Sequence, residues 1–147
     1  MPKPGCAPIL SAVETVTLKL RSSMDAAALS KMADRGQITG GLVDGPLAFD
    51  NAVSLAAAKT KSIASEVAGD ADILVVPDLE SGNLLAKQLE YLGGAQAAGV
   101  VMGARVPIVL TSRADSAHSR IASCAITLRL ISHRKKSLAK AEAKAEA

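Results

Sequence analysis

Short apolar segments alternate along this chain with longer segments of helical periodicity, and that alternation restricts the fold more than any other feature. The clearest apolar run is Asp72–Pro77, which has the length and the β-branched content of a buried strand. Four further strands are predicted at residues 9–16, 38–43, 97–102 and 106–110. Helices are predicted between them, at residues 24–35, 49–59, 82–92 and 116–131. Strands that alternate with helices of this length form an α/β fold whose sheet is largely parallel.

The composition supports one domain with a core of small and aliphatic residues. At 147 residues and 49% hydrophobic, the chain is long enough to bury such a core. Phe49 and Tyr91 are the only aromatic residues, and Phe49 is expected in the core. We divide the chain into a loose lead-in at residues 1–8, a folded domain at residues 9–132 and a charged, low-complexity tail at residues 133–147. The tail favours helix but has almost nothing to bury, so we expect a frayed extension there.

The net charge of +3 does not indicate a nucleic-acid-binding protein. The whole excess lies in the tail after residue 132, and the preceding body of the chain is balanced. A nucleic-acid-binding domain clusters its positive charge on a folded face and, for single strands, adds aromatic residues. The body of this chain has neither feature, so we expect no nucleic-acid partner.

The sequence also predicts a cytoplasmic protein that does not enter a membrane. No apolar run approaches the roughly 18 residues that a membrane-spanning helix needs. Residues 7–13 are apolar but lack the layout of a signal peptide. Cys6 and Cys124 are too few for a disulfide framework, and we expect reduced thiols, with Cys124 packed as a small hydrophobic residue of the last helix.

The segment Pro107–Ser116 changes from apolar to polar within a few residues. A predicted buried strand ends at Leu110, Ser112 and Arg113 follow it, and Ser116 is suited to be the N-cap of the last helix. Ligands of α/β folds bind outside the carboxyl ends of the strands, and a helix N-terminus offers unpaired N–H groups to an anion. The arginine could add a bidentate hold on phosphate. The local sequence therefore favours an oxyanion ligand.

Two other polar segments of the chain are interpreted together with Pro107–Ser116. They are Asp44–Ala52, with the letters DGPLAFDNA, and Pro77–Asn83, with the letters PDLESGN. Together with Thr111–Ser116 they resemble the signature stretches of the phosphate acetyl/butyryltransferase family, in family order and spacing. The TSRADS version of the third segment is more similar to the butyryltransferase branch. The resemblance runs from Leu10 to Ile131 and covers only the C-terminal half of family members.

The resemblance implies both a fold and a reaction. The implied fold is the C-terminal half of an isocitrate/isopropylmalate dehydrogenase-like protein, a three-layer α/β/α arrangement with a mostly parallel sheet. The implied reaction is acyl transfer, in which acyl-CoA and phosphate give acyl phosphate and coenzyme A within a ternary complex. Coenzyme A is then a substrate, with an acetyl or butyryl group as the acyl part, and no separate cofactor or metal is expected.

The resemblance assigns the catalytic roles to two residues. Ser112 would hydrogen-bond the reacting acyl carbonyl, and Arg113 would hold phosphate or acyl phosphate. The acetyltransferase branch has an aspartate seven residues after the serine, thought to take the proton of the coenzyme A thiol. Here that position is Ser119, which cannot act as a base at neutral pH. Asp115 and His118 lie close in sequence and could substitute, or could be solvated residues of a helix start.

The remaining candidate residues divide between ligand contact and structural roles. We expect substrate contacts from Asp44, Asp78, Glu80, Asn83, Asp115 and Ser116. Asp78, Glu80 and Asn83 follow the predicted strand 72–77 and could equally serve as cap and turn residues, while Gly82 would let the backbone approach a ligand. The Asp-Gly-Pro sequence of the first segment is expected to form a turn. Carboxylates alone do not make a convincing metal site, so none is predicted.

A different class of function stays open beside catalysis. A chain that is only the C-terminal half of a two-domain transferase could be a non-catalytic module for acyl-CoA binding or oligomerisation. A related decarboxylating dehydrogenase is a weaker alternative, because no nucleotide-binding fingerprint is present. The apolar stripe of the last helix, between Ala117 and Ile131, would lack its partner, so we expect a homodimer or association with a complementing N-terminal half.

Overall fold

The computed structural model describes residues 4–145, and for residues 138, 140–142, 144 and 145 only the backbone. The chain divides into two compact units, Met1–Leu84 and Leu85–Ala147, which are described separately. The elements in chain order are β1 (Gly5–Leu10), α1 (Arg21–Asp34), β2 (Gly41–Leu47), α2 (Phe49–Val53), α3 (Leu55–Thr60), α4 (Leu79–Tyr91), β3 (Val100–Val101), β4 (Ile108–Val109) and α5 (Ala117–Ala145). The structure is therefore α/β, as the alternating pattern predicts.

The first unit is built around β1, which has a parallel neighbour on each side. β1 pairs with β2 from Gly5 opposite Gly41 to Leu10 opposite Leu47. On its other edge, Val75 forms a parallel bridge with Ile9, and the amide of Leu10 donates to the carbonyl of Val75 at 2.8 Å. The predicted parallel pairing is confirmed here. The segment Asp72–Pro77, however, contributes this single bridge and not the long buried strand that its composition predicts.

The core of this unit consists of small and aliphatic side chains, as the composition requires. Its α1 packs against both paired strands, and the buried residues are Cys6, Ile9, Leu10, Ala26, Leu47, Ala52, Ala58, Val67 and Ala68. Phe49 is not among them. It opens α2 with 44% of its surface exposed, because Asn51 and Ala52 are the residues that α2 buries against its surroundings. The expectation of Phe49 in the core was wrong.

Two predictions about the N-terminal region need correction. The lead-in assigned to residues 1–8 was wrong for residues 5–8, which form most of β1, while residues 1–3 lie outside the described part. Pairing with β2 and burial of Cys6 outweigh the turn-forming composition there. The strand predicted at residues 9–16 ends at Leu10, and α1 begins three residues earlier than predicted, at Arg21.

The Asp-Gly-Pro sequence, expected as a turn, lies inside β2. Gly45 explains why. A Cβ added to it would lie 2.6 Å from the carbonyl oxygen of Ile9 and 2.9 Å from the Ile9 Cβ, so only glycine lets the two strands approach here. The register becomes irregular between Pro8 and Leu10, opposite this point, and the Gly45–Pro46 peptide bond is cis.

The helix predicted at residues 49–59 is divided at Ser54. The Ser54 hydroxyl accepts a hydrogen bond from the amide of Ala57 at 3.3 Å and so caps the start of α3. The polar connection after α3 is anchored to the unit, since Val67 and Ala68 are buried and the amide of Gly69 donates to the carbonyl of Ala52.

The second unit contains the end of α4 from Leu85 onward, the short β3–β4 pair and the long α5. β3 and β4 are antiparallel, with Val100 opposite Val109, and each is only two residues long, so the predicted strands 97–102 and 106–110 are mostly irregular. The helix α4 ends where predicted, and the amides of Leu92 and Gly93 donate to the carbonyl of Gln88 before Gly94 adopts a positive φ of 66°. No helix within residues 4–145 has the length and apolar character that crossing a membrane requires.

α5 buries a stripe of hydroxyl residues, and most of the apolar stripe between Ala117 and Ile131 is exposed, as expected for a stripe that lacks its partner. Ser119, Ser123 and Thr127 are its buried residues, and the Ser123 hydroxyl accepts from the amide of Gly99 at 3.0 Å. Cys124 is exposed, so its predicted packing was wrong. The hydroxyl groups of Ser123 and Thr127 donate to carbonyls one turn earlier, which satisfies them inside the unit. The helix also continues through the charged tail to Ala145.

Candidate functional site

The turn between β4 and α5 brings four of the expected site residues together. Ser112, Arg113, Asp115 and Ser116 follow one another within it, and Ser112 and Arg113 are both exposed. The amide of Ser112 donates to the Asp115 Oδ2 at 2.6 Å, and the amide of Asp115 donates to the Ser112 carbonyl at 3.2 Å. The Ser112 Oγ accepts from the amide of Ala114 at 3.4 Å. Because that oxygen accepts within the turn, its own hydrogen is available to donate to a ligand.

Ser116 acts as the N-cap of α5, as predicted. Its hydroxyl oxygen accepts from the amide of Ser119 at 3.1 Å, and its carbonyl accepts from the amide of Arg120. Ser119 stands in the position of the family aspartate, and its Oγ lies 3.1 Å from the Ser116 Oγ. It is buried and part of the helix cap, which fits the expectation that this position has no base in this chain. The start of α5 still carries the positive end of the helix dipole.

The strand that precedes the turn differs from its prediction. Ile108, Val109 and Leu110 were expected to form a buried strand, but all three are exposed, Leu110 to 62%. Among the described elements of this unit, α5 is the helix that packs against the β3–β4 pair, and both residues of β4 remain exposed. The Ser112–Asp115 turn is therefore held by its own hydrogen bonds more than by a buried strand.

A lysine that the sequence analysis did not single out lies near this turn. Lys87 on α4 forms an ion pair with Glu90 at 2.7 Å, and its ammonium group lies 5.6 Å from the centre of the Tyr91 ring. The hydrogen bond that Lys87 donates to Glu90 is the largest cause that raises the pKa of Lys87, and the negative charge of Asp115 raises it further. The spacing of Lys87 and Glu90, three residues apart on a predicted helix, is the sequence signal that could have identified the pair.

His118 was the other candidate base. It is exposed in the first turn of α5, and its Nε2 lies 3.2 Å from the Oε1 of Gln96. Which ring nitrogen donates in this pair depends on the tautomer, and in either neutral tautomer one nitrogen of the ring can accept a proton. His118 therefore has a nitrogen that is chemically able to act as a base.

The expected residues of the first unit have mainly structural contacts. Asp78 caps α4, since its Oδ1 accepts from the amide of Ser81 at 2.7 Å, and this interaction with Ser81 lowers the pKa of Asp78. Glu80 and Asn83 are exposed in the first turns of the same helix. A Cβ on Gly82 would lie 2.9 Å from the Val76 Cγ2, so this glycine lets α4 approach the preceding strand segment.

Asp44 lies in the middle of β2, opposite Pro8, and not at the carboxyl end of the strand. Its Oδ1 accepts from the amide of Gly45 at 2.8 Å and from the hydroxyl of Ser30 at 3.4 Å. It lines a cavity of about 400 Å³ together with Asp34 and Glu66. Three carboxylates around one cavity repel an anion, so the geometry does not support a contact between Asp44 and phosphate.

The structure thus defines an α/β protein with an exposed hydroxyl and guanidinium at the start of a long helix. The family model described as "Phosphate acetyl/butaryl transferase" matches residues 2–128. The chain belongs to this family.

Named relatives agree with the family match. The chain is 65% identical over 130 residues to a phosphate acetyltransferase from Rickettsia felis. The matched region covers 88% of this chain and 37% of that protein. It is 54% identical over 128 residues to a probable phosphate butyryltransferase from Bacillus subtilis, covering 87% of the chain and 42% of that protein. Relatives with the acetyltransferase name reach the higher identities, so the similarity to the butyryltransferase branch does not define the acyl group.

Solved structures give the same fold. A branched-chain phosphotransacylase from Enterococcus faecalis superposes with a TM-score of 0.74 at 38% identity, over 86% of this chain and 45% of that one. A phosphotransacetylase from Streptococcus pyogenes has a TM-score of 0.71 at 30% identity, over 84% of this chain and 38% of that one. The chain spans less than half the length of the relatives it matches and corresponds to their C-terminal half.

Proposed function

We propose that this chain is part of a phosphate acyltransferase that converts acyl-CoA and phosphate into acyl phosphate and coenzyme A. The Ser112–Asp115 turn is the observation that carries the proposal. It combines a hydroxyl hydrogen that is free to donate with an exposed guanidinium, beside the positive end of a helix dipole. The names of the relatives and structural neighbours support the same reaction.

The two side chains suit the two charged parts of that reaction. The Arg113 guanidinium can hold two phosphate oxygens at once, which places a third oxygen for attack on the thioester carbonyl carbon. As the carbon–oxygen bond forms, negative charge develops on the carbonyl oxygen, and the Ser112 hydroxyl can donate to it. The carbon–sulfur bond then breaks, and coenzyme A leaves as a thiolate that takes up a proton. The reverse reaction needs a base for the thiol, and His118 has an available nitrogen for it.

The substrates follow from the same proposal. Acetyl-CoA and butyryl-CoA are the expected thioesters and inorganic phosphate the expected acceptor, with no separate cofactor. The two free cysteines, Cys6 and Cys124, fit a cytoplasmic protein.

The test is a coupled assay of coenzyme A release from acetyl-CoA and from butyryl-CoA with phosphate present. Three preparations separate the alternatives. They are this chain alone, this chain with the remaining part of the Rickettsia felis relative added in trans, and a chimera in which this chain replaces the matching 37% of that relative. We expect little turnover by the chain alone, because an exposed site stays wet and its contacts are screened.

The chimera decides between catalysis and a non-catalytic module. We expect phosphate-dependent coenzyme A release by the chimera and its loss in a chimera with Ser112→Ala. A folded chimera that binds acyl-CoA but does not release coenzyme A would refute the catalytic proposal and favour the alternative, an acyl-CoA-binding or oligomerisation module. Robust turnover by the chain alone would show that 147 residues are sufficient for activity.

We also propose that the chain associates through the exposed apolar face of α5, as a homodimer or with a complementing N-terminal half. Ile121 and Leu128 lie on this face and are 69% and 66% exposed. They are seven residues apart and so on one side of the helix, opposite the buried Ser119 and Ser123. Exposed apolar residues gathered on one face are typical of a surface that binds another protein.

A further inference from the structure

The Ser112–Asp115 turn depends on the Asp115 carboxylate more than on packing. Ser112, Arg113 and Ala114 are exposed, whereas Asp115 is half-buried. The 2.6 Å bond from the Ser112 amide to the Asp115 Oδ2 is the shortest of the three that close the turn. A hydrogen bond from a backbone amide to a carboxylate is roughly twice as strong as one between neutral groups. Removal of the carboxylate would therefore release Ser112 and Arg113 from their fixed arrangement.

Asp115 also interacts electrostatically with a lysine of α4. On α4, Lys87 is close enough for the charge of Asp115 to raise the lysine pKa, while Glu90 holds the ammonium group directly. Arg113 in the turn and His118 and Arg120 at the start of α5 are the charged or titratable groups nearest to Asp115 in sequence. The carboxylate thus accepts its hydrogen bond within the turn and also acts on the positive charge of Lys87.

We propose that Asp115 is a positioning residue of the acyl-transfer site: by accepting the Ser112 N–H it fixes the Ser112 hydroxyl and the Arg113 guanidinium for the substrate, and it is not the proton acceptor for the coenzyme A thiol. This inference rests on the proposed function. Protonation of the carboxylate would weaken the bond that holds the catalytic serine, so the two roles conflict within one group. The proton is then left to another base or to water.

Two variants of Asp115 distinguish positioning from proton transfer. In Asp115→Asn the amide oxygen can still accept from the Ser112 N–H, but the group cannot take up a proton. In Asp115→Ala both abilities are lost. We expect kcat/KM of the active chimera to fall about 10- to 100-fold in the alanine variant, as for loss of a hydrogen bond to a charged group. The asparagine variant should lose only a few-fold and keep the pH profile of the parent. Asp34→Ala, an exposed aspartate of the first unit, is the matched control.

A measurement on the chain itself tests the geometry independently of activity. The amide proton of Ser112, followed by nuclear magnetic resonance, should shift as the carboxylate titrates, and the shift should disappear in Asp115→Asn while the fold is retained. An inactive chimera with a titrating Ser112 amide would count against the proposed function alone. A Ser112 amide that does not respond to the carboxylate overturns the positioning role. The positioning role is also overturned if the asparagine variant is as inactive as the alanine variant, or if its pH–rate profile loses the decrease in rate that the parent shows on one side of the optimum.

Discussion

Gly45 allows a sharp test of the strand arrangement that holds the first signature segment. In Gly45→Ala the new methyl group would lie 2.6 Å from the Ile9 carbonyl oxygen, 2.9 Å from the Ile9 Cβ and 3.3 Å from the Ala26 Cβ. The closest contact is to backbone of the paired strand β1, which cannot yield as a flexible side chain would. Overpacking of a core site costs about 1–3 kcal/mol, and contacts to backbone on one side and a helix on the other place this substitution at the upper end, at about 3 kcal/mol.

Gly5→Ala is the matched control, because Gly5 lies in the same pair of strands. Its added Cβ would lie 3.9 Å from the Asp72 Oδ2, an ordinary contact. We expect this variant to stay within about 0.5 kcal/mol of the parent or to gain slightly from the reduced freedom of the unfolded chain.

Cys6 provides an assay that is specific to this unit. Its thiol is fully buried in β1, opposite Leu42 of the strand that carries Gly45. In a Cys124→Ser background, the reaction of Cys6 with a disulfide reagent at increasing urea measures the free energy of opening this unit. Equal opening free energies for the two alanine variants would refute the strand arrangement and favour the turn that the Asp-Gly-Pro sequence predicts.

Three further predictions concern single residues. Arg113→Ala should weaken phosphate binding about 10- to 100-fold in the active chimera, and Arg113→Lys should not restore it. The free energy of unfolding should change by less than about 0.5 kcal/mol, because the side chain is exposed. Unchanged phosphate affinity in calorimetry would contradict the assignment. Asn51 is fully buried, and its side-chain amide has no hydrogen-bond partner among the described residues. Asn51→Leu should therefore raise the free energy of unfolding in urea by about 1–2 kcal/mol. Destabilisation would show that the amide has a partner. Lys61 lies 3.0 Å from Asp50, and their hydrogen bond lowers the pKa of Asp50 and raises that of Lys61. The pair should therefore add stability that is lost below about pH 4 and above about pH 10. Melting curves of the parent and of Asp50→Asn should differ between these limits and converge at acid pH.

The sequence was sufficient where local chemistry decides the structure. Ser116 is the cap of α5 and Gly94 follows the end of α4, because caps depend on a few adjacent residues. The parallel pairing around β1 was also predictable, since helical connections between strands leave little choice. For the same reason the serine and arginine of the candidate site could be located from the sequence alone.

Predictions failed where a distant contact decides the structure. The position of Gly45 depends on Ile9 and Ala26, which are far from it in sequence, so a turn-forming tripeptide became part of a strand. The electrostatic interaction of Lys87 with Asp115 joins residues far apart in sequence, and no local pattern indicates it. The structural role of Asp78 was one of two alternatives, and only the 2.7 Å bond from the Ser81 amide favours the cap.

The choice of which stripe α5 buries leads to the last prediction. The sequence offers two stripes, an apolar one that includes Ile121 and Leu128 and a hydroxyl one formed by Ser119, Ser123 and Thr127, and hydrophobicity favours burial of the first. Within its unit the helix buries the second. The hydroxyl groups of Ser123 and Thr127 are satisfied by carbonyl oxygens and the Gly99 amide, and that of Ser119 by the Ser116 hydroxyl. Such a helix keeps its apolar face for a partner. Leu128→Glu and Ile121→Glu should therefore abolish association in light scattering but change unfolding by less than about 0.5 kcal/mol. His133→Glu, on an exposed position away from this stripe, should do neither. A parent chain that is monomeric at micromolar concentration, alone and with the complementing part of the relative, would show that this face binds no such partner.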